Sequence, residues 1–174
     1  MEEVTSLSRS IRPLALAFNR SRGSPRLVAL VSPTCPECLR GARAVHRVLA
    51  HEGPGTALAA MIVWVEMLPE DREADVEALA REMTDPRVRW FHDPNRRAGR
   101  AIATSLGATG KVAWDVYLFF DEHVEWKNQP PAPRRWVHQL SDSWADPTRL
   151  RFGEQLEPEL GRLLKSALNP QLSA

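Results

Sequence analysis

Apolar residues recur along the chain in two rhythms, one typical of helices and one typical of buried strands. In the first rhythm they return every three or four positions, at Val4, Leu7, Ile11, Leu14 and Phe18. This spacing predicts an amphipathic N-terminal helix, broken or bent near Pro13 because proline cannot donate to the helix ladder. A turn cluster at 21–25 then leads into a largely apolar, β-type stretch at 26–32, which predicts the first strand.

Strand and helix patterns alternate after that run. The apolar stretch at 59–68 lacks strict alternation, which is typical of a central parallel strand covered on both faces. A weaker run at 88–91 predicts a short strand. Three helical patterns alternate with these strands. The first starts near Pro36 and ends by Gly53, and the second runs from Pro69 to about Met83. The third follows the short strand and runs from a cap at 93–95 to Gly107. Such alternation predicts a mostly parallel sheet with helices on both faces.

The last third of the chain changes character. The run at 112–120, the turn at 121–123 and residues 124–126 predict an antiparallel hairpin. Residues 128–153 are rich in proline and predict a long loop with one helical turn near 136–140. Leucines from Leu156 to Leu168 mark a closing helix. We therefore expect one α/β domain over 1–174, with a mixed sheet, an extra N-terminal helix within 1–24 and a long C-terminal loop.

Composition and charge exclude several classes of protein. A chain of 174 residues with 43% apolar and 26% charged residues can bury a core without disulfide staples. Its net charge of +1 predicts neither a nucleic-acid partner nor an anionic membrane partner. There is no apolar run of membrane-spanning length and no secretory signal pattern at the N-terminus. Two cysteines are too few for a disulfide scaffold, so a cytoplasmic location is expected.

Those two cysteines form a Cys-Pro-Glu-Cys motif at 35–38, between the first predicted strand and the helix that follows it. Amide dipoles at a helix N-terminus stabilise a thiolate, which favours Cys35 as a nucleophile. The carboxylate of Glu37 opposes a second negative charge, whereas Arg40 and Arg43 act weakly the other way. The pattern predicts a redox-active dithiol that is reducing rather than strongly oxidising.

The order of elements, with a dithiol at the first strand–helix junction, resembles the thioredoxin-like superfamily. The inserted short strand and helix at 90–107 look closer to the peroxiredoxin-related and membrane-anchored thioredoxins than to the minimal kind. The resemblance covers roughly residues 26–127 and 154–168. It implies a thioredoxin-like fold and a thiol–disulfide oxidoreductase without a cofactor, in which Cys35 attacks and Cys38 resolves.

Three positions depart from the pattern of that superfamily. Thr34 stands where a tryptophan commonly precedes the first cysteine, and Ala29 stands where a buried acid assists proton transfer. The cis-proline that faces the dithiol falls near Asp115, where a cis bond would cost about 3 kcal/mol, so we expect a trans or strained loop. The resemblance also implies a set of residues that line the substrate site: Thr34, Pro36, Glu37, Trp114 and Asp115.

Two further residues are candidates for acid–base chemistry. His92 ends the short predicted strand, and Glu66 ends a central one. Either side chain could reach the dithiol face, with Glu66 as the proton acceptor that position 29 lacks. The alternatives are a histidine that is hydrogen-bonded in the turn after it, and a surface or salt-bridge role for Glu66.

The implied partners are a disulfide-bearing protein or small thiol as substrate, and another dithiol system that restores the reduced state. Two alternatives stay open. Cys35 and Cys38 could bind a soft metal or metalloid, since a structural zinc site needs four ligands but Cu(I) accepts two. The chain could also be a redox-silent interaction module. Three tryptophans in the C-terminal region could form a peptide-binding wall or pin the loop to the core: Trp126, Trp136 and Trp144.

Overall fold

The computed structural model describes residues 3–169. The outermost parts of the expected 1–174 domain and of its 1–24 extension, residues 1–2 and 170–174, lie outside the described residues. The helices and strands are, in chain order, β1 (Val4–Ser6), α1 (Arg12–Arg20), β2 (Arg26–Val31), α2 (Pro36–Glu52), β3 (Ala59–Val65), α3 (Glu73–Glu82), β4 (Val88–Asp93), α4 (Arg97–Ser105), β5 (Val116–Phe120), β6 (Arg135–His138) and α5 (Leu156–Leu168).

The strands form one mixed sheet in the order β1-β4-β3-β2-β5-β6. The first four in this order are parallel to one another, whereas β5 runs antiparallel to β2 and β6 antiparallel to β5. Every residue of β2 is buried, which explains why the strand is an unbroken apolar run apart from Arg26. The carboxyl ends of the parallel strands, the start of β5 and the end of β6 therefore lie along one edge of the sheet.

Helices cover both faces of this sheet. Alternate residues of β2 belong to different apolar clusters because successive side chains of a strand point to opposite faces. Leu27, Ala29 and Val31 share a cluster with α2, α3 and α5, whereas Val28 and Leu30 share the other with α1 and α4. The expected mixed α/β architecture with helices on both faces is confirmed.

The N-terminal segment differs from the sequence prediction. The single helix expected over 4–18 is wrong: β1 pairs in parallel with β4, and α1 begins only at Arg12. Pro13 lies in the first turn of α1, where a missing N–H leaves no helical bond unmade. A strand of three residues is too short to show a recognisable alternation of apolar and polar positions. The spacing of Val4 and Leu7 therefore matches the pattern of a helix.

The predicted hairpin has the wrong second strand. The partner of β5 is β6, and residues 124–126 are not a strand. Instead, the backbone of Trp126 bonds the side chain of Asn19, with distances of 2.8 and 2.9 Å to Nδ2 and Oδ1. The first strand of the predicted hairpin is also shorter than expected, because β5 begins at Val116 and not at residue 112.

The proline-rich segment 128–153 is consequently not a plain loop. It contains β6 where a helical turn was expected, and short 3-10 helices lie at 147–149 and 153–155. β6 has only four residues and lies at the edge of the sheet, where nearby prolines are tolerated. Because prolines precede it, its sequence pattern resembles that of a loop. Trp126 and Trp136 are only 4% and 6% exposed, so these indoles pin the segment to the core rather than form an open wall.

Candidate functional site

The two cysteines lie where β2 leads into α2. Cys35 is the N-cap residue of α2, and its sulfur accepts a hydrogen bond from the backbone N–H of Cys38 at 3.4 Å. Pro36 fits the first turn of the helix because this position has no intrahelical bond to lose. The side chain of Cys35 is half-buried, whereas that of Cys38 is 0% exposed. One sulfur can therefore meet a substrate directly, and the other is sealed behind it.

The two thiols differ in their ionisation. A hydrogen bond from the Cys38 thiol, together with the one from the Cys38 backbone, lowers the pKa of Cys35 to about 7 although burial opposes this. The same bond to Cys35, together with burial, raises the pKa of Cys38. Glu37, which was expected to oppose a thiolate, is ion-paired with Arg40. Cys35 is consequently the group that ionises near neutral pH, and Cys38 keeps its proton.

Asp71 fixes the loop in front of the dithiol from the β3 side. Its carboxylate, only 1% exposed, accepts bonds from Ser32 Oγ at 2.9 Å, Thr34 Oγ1 at 2.6 Å and Thr34 N at 3.1 Å. The backbone N–H groups of Met67 and Leu68 each donate to it at 2.8 Å. Burial opposes its ionisation, but the hydrogen bonds together hold the pKa of Asp71 below its usual value. It joins the ends of β2 and β3 as an anion.

A second buried carboxyl lies on the other side of β2. Asp115 directly precedes β5 and is 3% exposed. Its Oδ1 accepts hydrogen bonds from Tyr117 Oη at 2.6 Å and from Gln139 Nε2 at 3.0 Å. Burial raises the pKa of Asp115 above its usual value in spite of these bonds. We refer to Asp115, Tyr117 and Gln139 as the Asp115 group.

The Asp115 group touches the dithiol helix at several points. The carboxyl of Asp115 contacts the Cys38 thiol and acts electrostatically on both sulfurs. Gln139 Nε2 also lies 3.3 Å from the carbonyl oxygen of Glu37. The hydroxyl of Tyr117 occupies the space beside Gly41, where a Cβ would overlap it. The absence of a side chain at position 41 therefore makes room for this hydroxyl.

The backbone at Asp115 resolves the expectation of a trans or strained loop. All peptide bonds between described residues are trans, and Asp115 has a φ of 51°, in the left-handed region. Aspartate is one of the few residues with a side chain that tolerate this region. The carbonyl oxygen of Asp115 accepts a bond from Gln139 N at 3.1 Å, which ties the residue to the end of β6.

The other residues expected to line the substrate site surround the first sulfur to different degrees. Pro36 is exposed, and Thr34 and Glu37 are half-buried. Trp114 is half-buried as well and packs against the same apolar cluster as Cys35. Their contact with a substrate stays a prediction.

His92 and Glu66 are paired with each other. His92 Nε2 lies 2.8 Å from Glu66 Oε1, and its Nδ1 lies 3.8 Å from Glu73 Oε1. His92 belongs to β4, two strands away from β2, which is roughly 10 Å at the usual strand spacing. The pair follows the salt-bridge alternative for Glu66, and an acid–base role for either residue stays a prediction.

Residues 3–169 offer neither a cluster of metal ligands nor a membrane-spanning helix. No three histidine, cysteine or carboxylate side chains in this range come together in a way that could hold a metal ion. A soft-metal site would therefore have the two sulfurs as its donor set. Among the helices of the same range, none is both long and apolar enough to cross a membrane.

Sequence reasoning missed three residues of the site. Asp71 lies at the start of a predicted helix, Tyr117 lies within a predicted strand, and Gln139 lies in the helical turn predicted within the C-terminal loop. A signal existed for Tyr117, since it stands two positions after Asp115 and alternate residues of a strand share a face. Gln139 had no such signal, because its place depends on β6.

Comparisons with known proteins give structural neighbours only. No protein-family model and no curated protein matches the chain. Among solved structures, it is similar to a thioredoxin-like protein in the oxidised form, at 18% identity and a TM-score of 0.49 over 83% of this chain and 80% of the other. It is also similar to the pneumococcal exposed lipoprotein thioredoxin of Streptococcus pneumoniae strain TIGR4, at 13% identity and a TM-score of 0.40 over 67% of this chain and 80% of the other.

The order of elements itself defines the fold. A central β-α-β unit with the dithiol at its first helix is followed by an antiparallel strand pair and a closing helix. This is a thioredoxin-like fold, as the resemblance predicted. The branch of that superfamily stays a prediction.

Proposed function

We propose that the protein is a thiol–disulfide oxidoreductase that reduces disulfides through Cys35 and Cys38. The observation that carries this proposal is the half-buried Cys35, which has a pKa of about 7 and whose sulfur is hydrogen-bonded to a buried thiol one helical turn further on. A thiol with a pKa near the ambient pH combines a large thiolate fraction with high nucleophilicity. Strong oxidants need a far more stable thiolate, so the reducing direction is favoured.

The reaction has two steps. The Cys35 thiolate attacks a disulfide R–S–S–R′, which forms a Cys35–S–S–R mixed disulfide and releases R′S⁻ to take a proton from water. Cys38 then loses its proton and attacks the sulfur of Cys35, so the Cys35–Cys38 disulfide forms and RS⁻ leaves. The substrate gains two electrons and the protein loses two. No cofactor is needed, but an external dithiol must return the electrons.

The surroundings of the reaction follow from the same chemistry. Four residues are proposed to line the substrate beside the half-buried Cys35: Thr34, Pro36, Glu37 and Trp114. The substrate is a disulfide-bearing protein or a small thiol in disulfide form, and the electron donor is another dithiol system. A cytoplasmic location is part of the proposal, because a pair that works in the reducing direction needs a reducing compartment.

The test is to trap the intermediate. Cys38→Ser leaves Cys35 able to attack but removes the resolving sulfur, so a stable mixed disulfide with oxidised glutathione or with insulin is expected by mass spectrometry. Wild type should turn insulin disulfides over in the presence of dithiothreitol.

Cys35→Ser is the matched control and should form no mixed disulfide. Wild type without turnover, together with a Cys38→Ser variant that traps nothing, would contradict the proposal and would favour the soft-metal or interaction-module alternatives.

A further inference from the structure

The second step of the proposed reaction needs a buried proton acceptor. Cys38 is 0% exposed, and in the dithiol state its thiol donates to the sulfur of Cys35. Once Cys35 is part of a mixed disulfide, its sulfur is no longer an anion and accepts that proton poorly. Cys38 must nevertheless become a thiolate to attack, since the thiolate is the nucleophile. Bulk water does not reach a fully buried sulfur directly.

Asp115 is a buried carboxyl that contacts Cys38 from the β5 side. Asp71 is the other buried carboxylate beside the dithiol. Its two oxygens already accept hydrogen bonds from five donors near the strand ends. Glu66 is paired with His92. Of the carboxyls considered for the site, only Asp115 combines burial, contact with Cys38 and spare acceptor capacity, because its hydrogen bonds from Tyr117 and Gln139 both go to Oδ1.

The charged and titratable groups around Asp115 come from each element packed against it. Cys35 and Cys38 face it from α2, Tyr117 from β5 and His138 from β6. Burial raises the pKa of Asp115, which brings it closer to that of a thiol and makes it a better base. Burial also raises the pKa of Tyr117, which therefore stays a neutral donor.

We propose that Asp115 accepts the proton of Cys38 in the second step, and that Tyr117 and Gln139 are positioning residues that hold its carboxylate. This inference rests on the proposed function. As the Cys38 sulfur attacks Cys35, its proton passes to the carboxylate, the Cys35–S–R bond breaks and RS⁻ leaves. The carboxylic acid then gives the proton to RS⁻ or to water, which restores the carboxylate. Electrons move only between the sulfurs.

The experiment separates the two steps with the aromatic disulfide 5,5′-dithiobis(2-nitrobenzoate). The first nitrothiobenzoate released reports the attack by Cys35, and the second reports the attack by Cys38. Asp115→Asn keeps the size of the side chain and an oxygen for Tyr117 and Gln139, and asparagine also tolerates a left-handed backbone. We expect a first phase within about threefold of wild type and a second phase slowed about 100-fold, as for a lost general base.

The pH profile distinguishes a proton acceptor from a structural residue. The wild-type second phase should rise with pH as Asp115 ionises and then level off, whereas that of Asp115→Asn should keep rising over the same range. Tyr117→Phe removes only the hydroxyl and should slow the second phase several-fold with the first phase unchanged. This variant tests the inference if Asp115→Asn does not fold. A second phase as fast as in wild type in Asp115→Asn, or in Tyr117→Phe where Asp115→Asn does not fold, would overturn the inference. Wild type without either phase would instead overturn the proposed function.

Discussion

Two buried aspartates flank the dithiol, and their surroundings have opposite effects on them. Asp71, on the β3 side, accepts bonds from three backbone N–H groups and two hydroxyls, and its pKa is lowered. Asp115, on the β5 side, accepts from one hydroxyl and one amide in addition to its contact with Cys38, and its pKa is raised by burial. Both are almost fully buried.

The difference teaches that burial alone does not decide what a carboxyl does. Removing either group from water costs free energy in its charged form, and only a sufficient set of donors offsets that cost. Asp71 has such a set and serves as a fixed anion that holds two loops together. Asp115 has a smaller set, so its charge is easily neutralised, as a proton acceptor requires.

The largest expected effect is on stability at Asp71. Asp71→Asn replaces one oxygen by an NH₂ group, which faces N–H and O–H donors and leaves them without an acceptor. We expect the free energy of unfolding to fall by about 3 kcal/mol, measured by urea denaturation at pH 7. Asp142→Asn, at an exposed loop position, is the matched control and should change it by less than about 0.5 kcal/mol.

The same residue predicts how stability depends on pH. Because the pKa of Asp71 is lower in the folded than in the unfolded chain, its contribution is complete above the unfolded value of about 3.9 and is lost as pH falls through the folded value. Wild type and Asp71→Asn should therefore converge in stability under acid. A constant difference between them down to pH 2 would contradict this account.

The second effect is at the helix packed on the Asp115 group. Gly41→Ala places a Cβ where the Tyr117 hydroxyl lies, so the hydroxyl must move away from Asp115. We expect a loss of about 2 kcal/mol from this overpacking, which exceeds the gain of up to about 1 kcal/mol in helix propensity. The second phase of the aromatic disulfide reaction should slow as well.

Gly161→Ala is the control for Gly41→Ala. Gly161 lies in α5 with open space where its Cβ would be, so the variant should be more stable than wild type by up to about 1 kcal/mol. Equal stability of the two alanine variants would show that the Tyr117 hydroxyl is not held where the structure has it.

The two sides of the dithiol also differ in how much of their structure can be predicted from the sequence. Local sequence patterns are sufficient to predict β2, α2 and β3. These patterns are the long apolar runs of the strands, and the apolar stripe and early proline of the helix. β6 has four residues behind several prolines, and its partner β5 is fifteen positions earlier. No local pattern carries such a pairing, so the hairpin was placed on the wrong residues.

The site shows the same division. The motif at 35–38 predicted the thiols and their place at a helix N-terminus, and the resemblance brought Asp115 opposite them. The role of Asp71 depends on five donors from two loops that meet only at the edge of the folded sheet. Asp115 accepts a hydrogen bond from Gln139, which directly follows β6. Both are products of tertiary structure that spacing does not encode.

A smaller effect is expected on stability at Asp115. Its pKa is higher in the folded than in the unfolded chain, so wild type loses stability as pH rises through the folded value. Asp115→Asn removes this penalty and should be within about 1 kcal/mol of wild type at pH 7, or more stable. This is the opposite of Asp71→Asn. A loss as large as at Asp71 would remove the distinction between the two sites.

The smallest effect is on the pKa of Cys35. The hydrogen bond from Cys38 is the main cause that lowers it, while burial and the charges of Asp115 and Asp71 raise it. Asp115→Asn removes one of those charges and should lower the pKa of Cys35 by less than about one unit. The midpoint of iodoacetamide alkylation against pH would then fall slightly below the wild-type value of about 7.

Cys38→Ala gives the matched change in the other direction, because it removes the thiol donor and should raise the midpoint toward the usual cysteine value of about 8.5. A midpoint that does not fall in Asp115→Asn would mean that the carboxyl is already protonated beside an ionised Cys35. It could then not accept a proton in the next step, and Asp115 would have to be regarded, like Asp71, as a structural residue.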